Sequence, residues 1–356
     1  MVMVGTVWHA AAAGFEAARR LVNVPPAHRA RNLHGHGFQV RVRGELPGDW
    51  AGFPGGEVQR LSDELRDVAA MLDFRLLNEV IDEPSDERLA RWFSGQMGLP
   101  LEVGVQSMAD RGVDLDGTGR AHAWRRYAFH AAHRLPNVPE GHKCGRMHGH
   151  GFEALIHAHG ATHEQLDAAW APVQLQLHMN CLNELDGLEN PTSEMLSSWI
   201  WSRMAPVLPG LANVTVFETA SCGACHDGRH WRTWKDFTLD SALQLKRAPE
   251  GSPLRRLHGH TYLLRLHLEA PLDEVMGWTL DFGDVKRLFD PVFRMLDHHP
   301  LHERADLADC DAATLSRWVL GQARERLPQV NRVDLHETAG CGATVYLGAE
   351  APSLPI

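Results

Sequence analysis

The tripeptide His-Gly-His occurs three times in this chain of 356 residues, at 34–36, 148–150 and 258–260. Each copy opens an alternating, strand-like run: GFQVRVRG, GFEALIHA and TYLLRLHL. Alternation along a strand puts the first and third residues on one face, and the intervening Gly is expected to keep the backbone open for an ion. From His34 to His148 is 114 residues, and from His148 to His258 is 110. A metal-ligand hairpin repeated at that spacing implies three fused copies of one domain, because the units of a solenoid are far shorter.

The copies read alike. A strand comes first, around Phe15, Phe129 and Phe237, then a loop, the His-Gly-His strand and a helix. In copy three that helix carries Val285, Leu288, Phe289, Val292, Phe293 and Leu296 on one 3.6-residue stripe. Leu61, Leu65, Val68 and Leu72 match it in copy one, and Leu166, Trp170, Val173 and Leu177 in copy two. A second helix is marked by Leu89/Trp92, Leu196/Trp199 and Leu315/Trp318, with Thr192 as the expected cap in copy two. Strands follow at LEVGVQS, VTVFETA and RVDLHETA. The expected class is α+β, with three β-β-α-α-β-β units at 1–110, 122–226 and 233–350, joined by linkers near 108–122 and 226–234.

A formal charge of −10 and the lack of a Lys/Arg run argue against nucleic acid as partner. No stretch approaches the 18 apolar residues of a membrane span, and no signal peptide is read at the start, so the expectation is a cytoplasmic protein. Six cysteines in so long a chain are no disulfide framework. Cys222-Gly-Ala-Cys225 has half the pattern of a zinc or redox site, in what reads as a Gly-rich loop, and is expected to be inert.

Copy two reads Phe129-His130-Ala131-Ala132-His133, then Cys144 four residues before His148-Gly149-His150, then Phe217-Glu218-Thr219. This combined pattern resembles the 6-pyruvoyl-tetrahydropterin synthase and 6-carboxy-tetrahydropterin synthase family of the tunnelling fold, and the resemblance extends over nearly the whole chain, three times. It implies that His133, His148 and His150 ligate Zn²⁺. Three imidazoles leave one tetrahedral position open, as a catalytic zinc requires. It further implies that Cys144 is the proton-abstracting base, its thiolate favoured by the metal, and that Glu218 grips the pterin ring by paired hydrogen bonds.

The other copies diverge from that pattern. In copy one Arg19 stands at the third ligand position, Ala30 at the cysteine and Gln106 at the glutamate. In copy three Ser241 and Leu254 replace ligand and cysteine, while Glu337 is retained as a second candidate for substrate binding. The family's Leu-Asp-His-x-x-Leu pattern is intact only in copy three, as Leu296-Asp297-His298-His299-Pro300-Leu301. Copy one has Asp73-Phe74 and copy two His178-Met179 at those positions.

The family forms ring-shaped trimers with active sites between neighbouring subunits. Three fused copies are therefore expected to close one ring, as a monomeric pseudo-trimer or a pair of stacked rings. Copies two and three would together supply one complete set: Cys144, Asp297 and His298 as catalytic residues. The implied activity is a lyase acting on 7,8-dihydroneopterin triphosphate. Its product is 6-carboxy-tetrahydropterin, on the path to 7-deazapurines such as queuosine, or 6-pyruvoyl-tetrahydropterin, on the path to tetrahydrobiopterin. The bacterial-looking composition favours the first. The rival reading is a non-catalytic pterin-binding scaffold.

Overall fold

A computed structural model describes residues 5–307, 309–348 and 354–355. The outer limits of the expected units, 1–4 and 349–350, lie outside them. Copy one comprises β1 (Thr6–Arg19), β2 (His34–Gly44), α1 (Glu57–Ala70), the two-residue β3 (Arg75–Leu76), α2 (Asp86–Met97), β4 (Glu102–Met108) and β5 (Arg111–Leu115). Copy two repeats this as β6 (Ala121–His133), β7 (His148–His159), α3 (His163–Leu177), β8 (Asn180–Cys181), α4 (Ser193–Met204), β9 (Leu211–Thr219) and β10 (Cys222–His226). Copy three supplies β11 (Trp231–Leu243), β12 (His258–Leu268), α5 (Phe282–Arg294), α6 (Ala312–Arg324), β13 (Val330–Thr338) and β14 (Cys341–Tyr346).

The long strands pair antiparallel in one path that closes when β14 meets β1, Thr6 opposite Tyr346. Twelve strands thus form a closed barrel within one chain, with no open edge on this path among the described residues. Copies meet at β5–β6, β10–β11 and β14–β1. The expected linkers are not linkers. Residues 111–115 form β5, and β11 begins at Trp231, so these segments carry the pairing between copies. Gly112 and Asp114, poor strand formers, hid β5 from the sequence pattern.

The helical stripes predicted from spacing bury as expected. Each copy packs its own apolar core between helices and sheet: Leu61, Leu65 and Phe93 with Phe38; Trp170, Val173 and Ile200 with Phe152; Phe289, Val292 and Val319 with Tyr262. Each fully buried side chain of this size contributes roughly 1.5–3 kcal/mol. Alternate strand residues face the barrel interior, where charges are paired: Arg332 and His267 with Asp334, and His157 with Asp114.

Strand register corrects three sequence readings. His133 lies opposite His148, Arg19 opposite His34 and Leu243 opposite His258. The third ligand position of copy three is therefore Leu243, not Ser241. Phe237 and Leu239 are both apolar on the same face, so the repeat was misread by two residues. Gln106 and Phe217 occupy the same register, opposite Gln39 and Glu153, so the counterpart of Glu218 is Ser107. The His-Gly-His glycines answer to backbone rather than to an ion. A Cβ on Gly149 would lie 3.1 Å from the Ala131 carbonyl oxygen, and one on Gly259 2.8 Å from that of Ser241.

Candidate metal centre

The ends of β6 and β7 bring His133, His148 and His150 together on the helix-facing side of the sheet, their ligand atoms within 4.8 Å of one another. Among the described residues this is the one such group. Ring centroids are 4.5 Å apart for His133–His148, 5.1 Å for His133–His150 and 5.0 Å for His148–His150. Phe152 packs beneath His133 and His150.

Two rings are held through Nδ1. His133 Nδ1 donates to the Pro191 carbonyl at 3.2 Å, and His148 Nδ1 to that of Arg146 at 2.7 Å. That fixes the tautomer and turns Nε2 lone pairs inward. Nε2 of His133 and of His150 are buried with no hydrogen-bond partner. Two orphaned acceptors, with the His148 ring beside them, fit one cation. Burial drives the pKa of His133 down to about 4, and burial likewise lowers that of His150, keeping both in the neutral ligand form.

Glu218 ends β9 beside this cluster. Its Oε2 accepts from Ser193 Oγ at 2.7 Å, and its Oε1 lies 3.6 Å from His150 Nε2. Cys144 sits in a one-turn helix, Lys143–Gly145, whose cap is the His142 ring: Nδ1 accepts from the Cys144 amide at 3.2 Å. The protein's own groups push the Cys144 thiol up, burial first and then the Glu218 carboxylate. These groups favour the thiol over the thiolate that the resemblance implies.

Asp297 and His298 belong to copy three. Asp297 Oδ1 accepts from the Asp240 amide, and its Oδ2 lies 2.9 Å from His298 Nδ1. That hydrogen bond raises the His298 pKa. The His298 amide donates to the Asp240 carbonyl and Pro300 bridges to Ala242, so this segment runs along β11. One edge of β11 is filled by β12; the other carries β10 and then, beyond Ser221, the His298 segment. Asp297–His298 therefore stands on the copy-two/copy-three seam, past the turn that follows Glu218. The His298 side chain is 76% exposed, and among the described residues its ring bonds only Asp297. Glu337 is not brought to this site. It lies on β13, at the seam of copies three and one, where burial lifts its pKa to about 7.

His298, Phe74 and Met179 share a left-handed backbone, with φ of 58°, 51° and 58°. The residue before each brackets the same amide: Asp297 to Asp240, Asp73 to Glu16 and His178 to His130. His178 is thus a backbone bracket. Copy one carries its own cation: buried Arg19 donates to Asp86 at 2.7 Å and to the Pro84 carbonyl at 2.9 Å, with Ser107 Oγ bonding Asp86 at 2.5 Å. Strand carboxylate and helix hydroxyl (Glu218 with Ser193) have exchanged places in copy one (Ser107 with Asp86). The CxxC pair lies on β10, not in a loop; three residues apart on a strand, its thiols face opposite sides, toward Thr219 and Asn213.

Sequence reasoning missed Ser193, His142 and a segment of copy three, residues 269–281, that crosses onto copy two. Its one signal was length: the β-to-α connections are 45–56, 160–162 and 269–281.

A family profile described as 6-pyruvoyl tetrahydropterin synthase matches residues 10–109, 122–229 and 232–347. The chain is 34% identical over 116 residues to a 6-carboxy-5,6,7,8-tetrahydropterin synthase of Synechocystis, covering 28% of this chain and 88% of that protein. It is 31% identical over 84 residues to a dihydroneopterin monophosphate aldolase of Pyrococcus furiosus, covering 23% of this chain and 70% of that protein. Among solved structures, 6-pyruvoyl tetrahydropterin synthase of Caenorhabditis elegans aligns at 15% identity with a TM-score of 0.30, covering 33% of this chain and 95% of that one.

Proposed function

The chain belongs to the 6-pyruvoyl tetrahydropterin synthase family, and we propose that it is a lyase converting 7,8-dihydroneopterin triphosphate to 6-carboxy-5,6,7,8-tetrahydropterin at one site shared by copies two and three. The observation that carries this is the convergence of three imidazoles, Glu218 and the Cys144 turn, found among the described residues in copy two alone. The likeness to the Synechocystis synthase supports the carboxy product over the pyruvoyl one.

Glu218, steadied by Ser193, accepts two parallel hydrogen bonds from the amino and N–H groups of the pterin edge. That directs the substrate side chain toward the imidazole cluster. His133, His148 and His150 would hold zinc, which would supply Lewis-acid polarisation of the side-chain oxygens and favour the Cys144 thiolate. Cys144 removes a proton from the side chain. His298, its pKa raised by Asp297, returns or relays protons from the copy-three side. Copies one and three are catalytically silent: Arg19 and Leu243 take the third ligand position, and Ala30 and Leu254 that of the thiol.

Among the described residues no helix is long and apolar enough to cross a membrane. We further propose a cytoplasmic enzyme whose particle is one ring or two stacked rings. Incubation of the zinc-loaded protein with 7,8-dihydroneopterin triphosphate, followed by mass analysis, should yield the carboxy product. A pyruvoyl product would move the reading to the other branch, and unchanged substrate would leave the scaffold reading.

A further inference from the structure

We propose that residues Asp273–Asp281 of copy three form the outer layer of copy two's metal site and set its affinity; the proposal rests on reading His133, His148 and His150 as ligands. Three consecutive carbonyls of this strap receive side chains of copy two. Asn137 Nδ2 donates to Val275 O at 2.6 Å, Asn190 Nδ2 to Met276 O at 2.7 Å, and Thr192 Oγ1 to Gly277 O. The strap holds its own shape through Asp273, whose Oδ1 accepts from the Val275 and Met276 amides.

Pro191 lies between two of these anchors, and its carbonyl is the group that orients His133. The backbone positioning the third ligand is thus pinned on both sides by another copy. Two residues past Thr192, Glu194 Oε1 accepts from the Thr279 amide at 2.7 Å, and burial lifts its pKa to about 7. On the opposite side of the site, His142 Nε2 lies 3.2 Å from Asp281 Oδ2, while its Nδ1 accepts from the Cys144 amide. The strap therefore braces both the ligand backbone and the thiol turn. Groups that orient a ligand imidazole typically account for 10- to 100-fold in metal affinity.

The other seams lack the combination. Copy two offers copy one only residues 160–162, and copy one's ligand position is Arg19. Copy one offers copy three a full strap, Gly55 lying against Asp311, but the ligand position is Leu243. Strap and third imidazole coincide only at copy two. By reciprocity, an ion bound there tightens the strap onto copy two.

The full chain, stripped of metal, is titrated with zinc against a chromophoric chelator and separately with Co²⁺, whose absorption reports ligand geometry. Gly277→Ala strains the strap at a φ of +67° and displaces the Asn190 anchor, since the added Cβ would lie 2.8 Å from Asn190 Nδ2. Asn190→Ala removes one anchor without touching the strap. Both variants, with wild-type circular dichroism, should bind zinc about 10- to 100-fold more weakly and shift the Co²⁺ bands. Thr192→Ser, which keeps the hydroxyl, should retain wild-type affinity. Wild-type affinity and spectrum in Gly277→Ala and Asn190→Ala would overturn the proposal. Absence of tight zinc in the wild type would instead overturn the metal reading beneath it.

Discussion

Arg19→Ala tests whether copy one has replaced a metal by a built-in cation. The Arg19 and Asp86 side chains are 7% and 6% exposed, and the guanidinium lies 2.7 Å from the carboxylate. Removing one member of a buried pair leaves the other uncompensated, at a cost of about 3–5 kcal/mol. Asp86 retains the Ser107 hydroxyl, which places the expected loss near the lower end, about 3 kcal/mol. Deleting both charges, Arg19→Ala with Asp86→Ala, should recover part of that loss. The remainder reflects the guanidinium stacked over Phe38, its carbon 4.9 Å from the ring centre. Urea unfolding followed by circular dichroism measures all three variants. Arg19→His adds a gain-of-function arm, since a third imidazole then joins His34 and His36, and a second zinc should appear, held about 10- to 100-fold more weakly than that of copy two for want of a strap. A loss below about 1 kcal/mol for Arg19→Ala, as at an exposed ion pair, would refute the reasoning.

Wild-type protein should hold close to one zinc per chain after dialysis, and His133→Ala should abolish it; metal analysis finding two or three tightly bound ions would contradict the assignment. Glu194 carries a pKa raised from 4.5 to about 7 by burial, so its stabilising contribution is full below pH 4.5 and falls as pH rises through 7. A shift of that size corresponds to about 3 kcal/mol, and urea midpoints at about pH 5 and about pH 8 should differ less in Glu194→Gln than in wild type. Phe74 and Met179 are 82% and 75% exposed and hold left-handed backbone. Phe74→Asn and Met179→Asn should therefore raise the unfolding free energy by about 1 kcal/mol each, read from urea titration, without lowering turnover; a lower value would show that these side chains pack.

The strands were legible because His-Gly-His marks a strand start and the flanking residues alternate, whereas their closure into one barrel followed from the family resemblance. A period-2 pattern, however, fixes face and not register. Phe237 and Leu239 point the same way, so only the pairing of Leu243 with His258 distinguishes the two alignments of copy three. A bulge between Gln106 and Met108 similarly hid Ser107 as the counterpart of Glu218. The ligand trio needed no register, since all three imidazoles are in the local motif. The strap was invisible because its contacts with copy two run through backbone carbonyls, which carry no side-chain signature. Ser193 was visible only as part of a helix start: its contact with Glu218 spans 25 residues and two elements.

The sharing of one active site between copies two and three is tested most directly by single and double substitution at its two halves. Turnover of 7,8-dihydroneopterin triphosphate is measured for Cys144→Ala, His298→Ala and the double variant, with zinc content checked in each. Residues that act on one substrate as a unit are non-additive. Each single variant should lose several orders of magnitude in kcat with zinc retained, and the double variant should lose little more. Full activity in His298→Ala would show that copy two works without copy three, and would contradict the shared site.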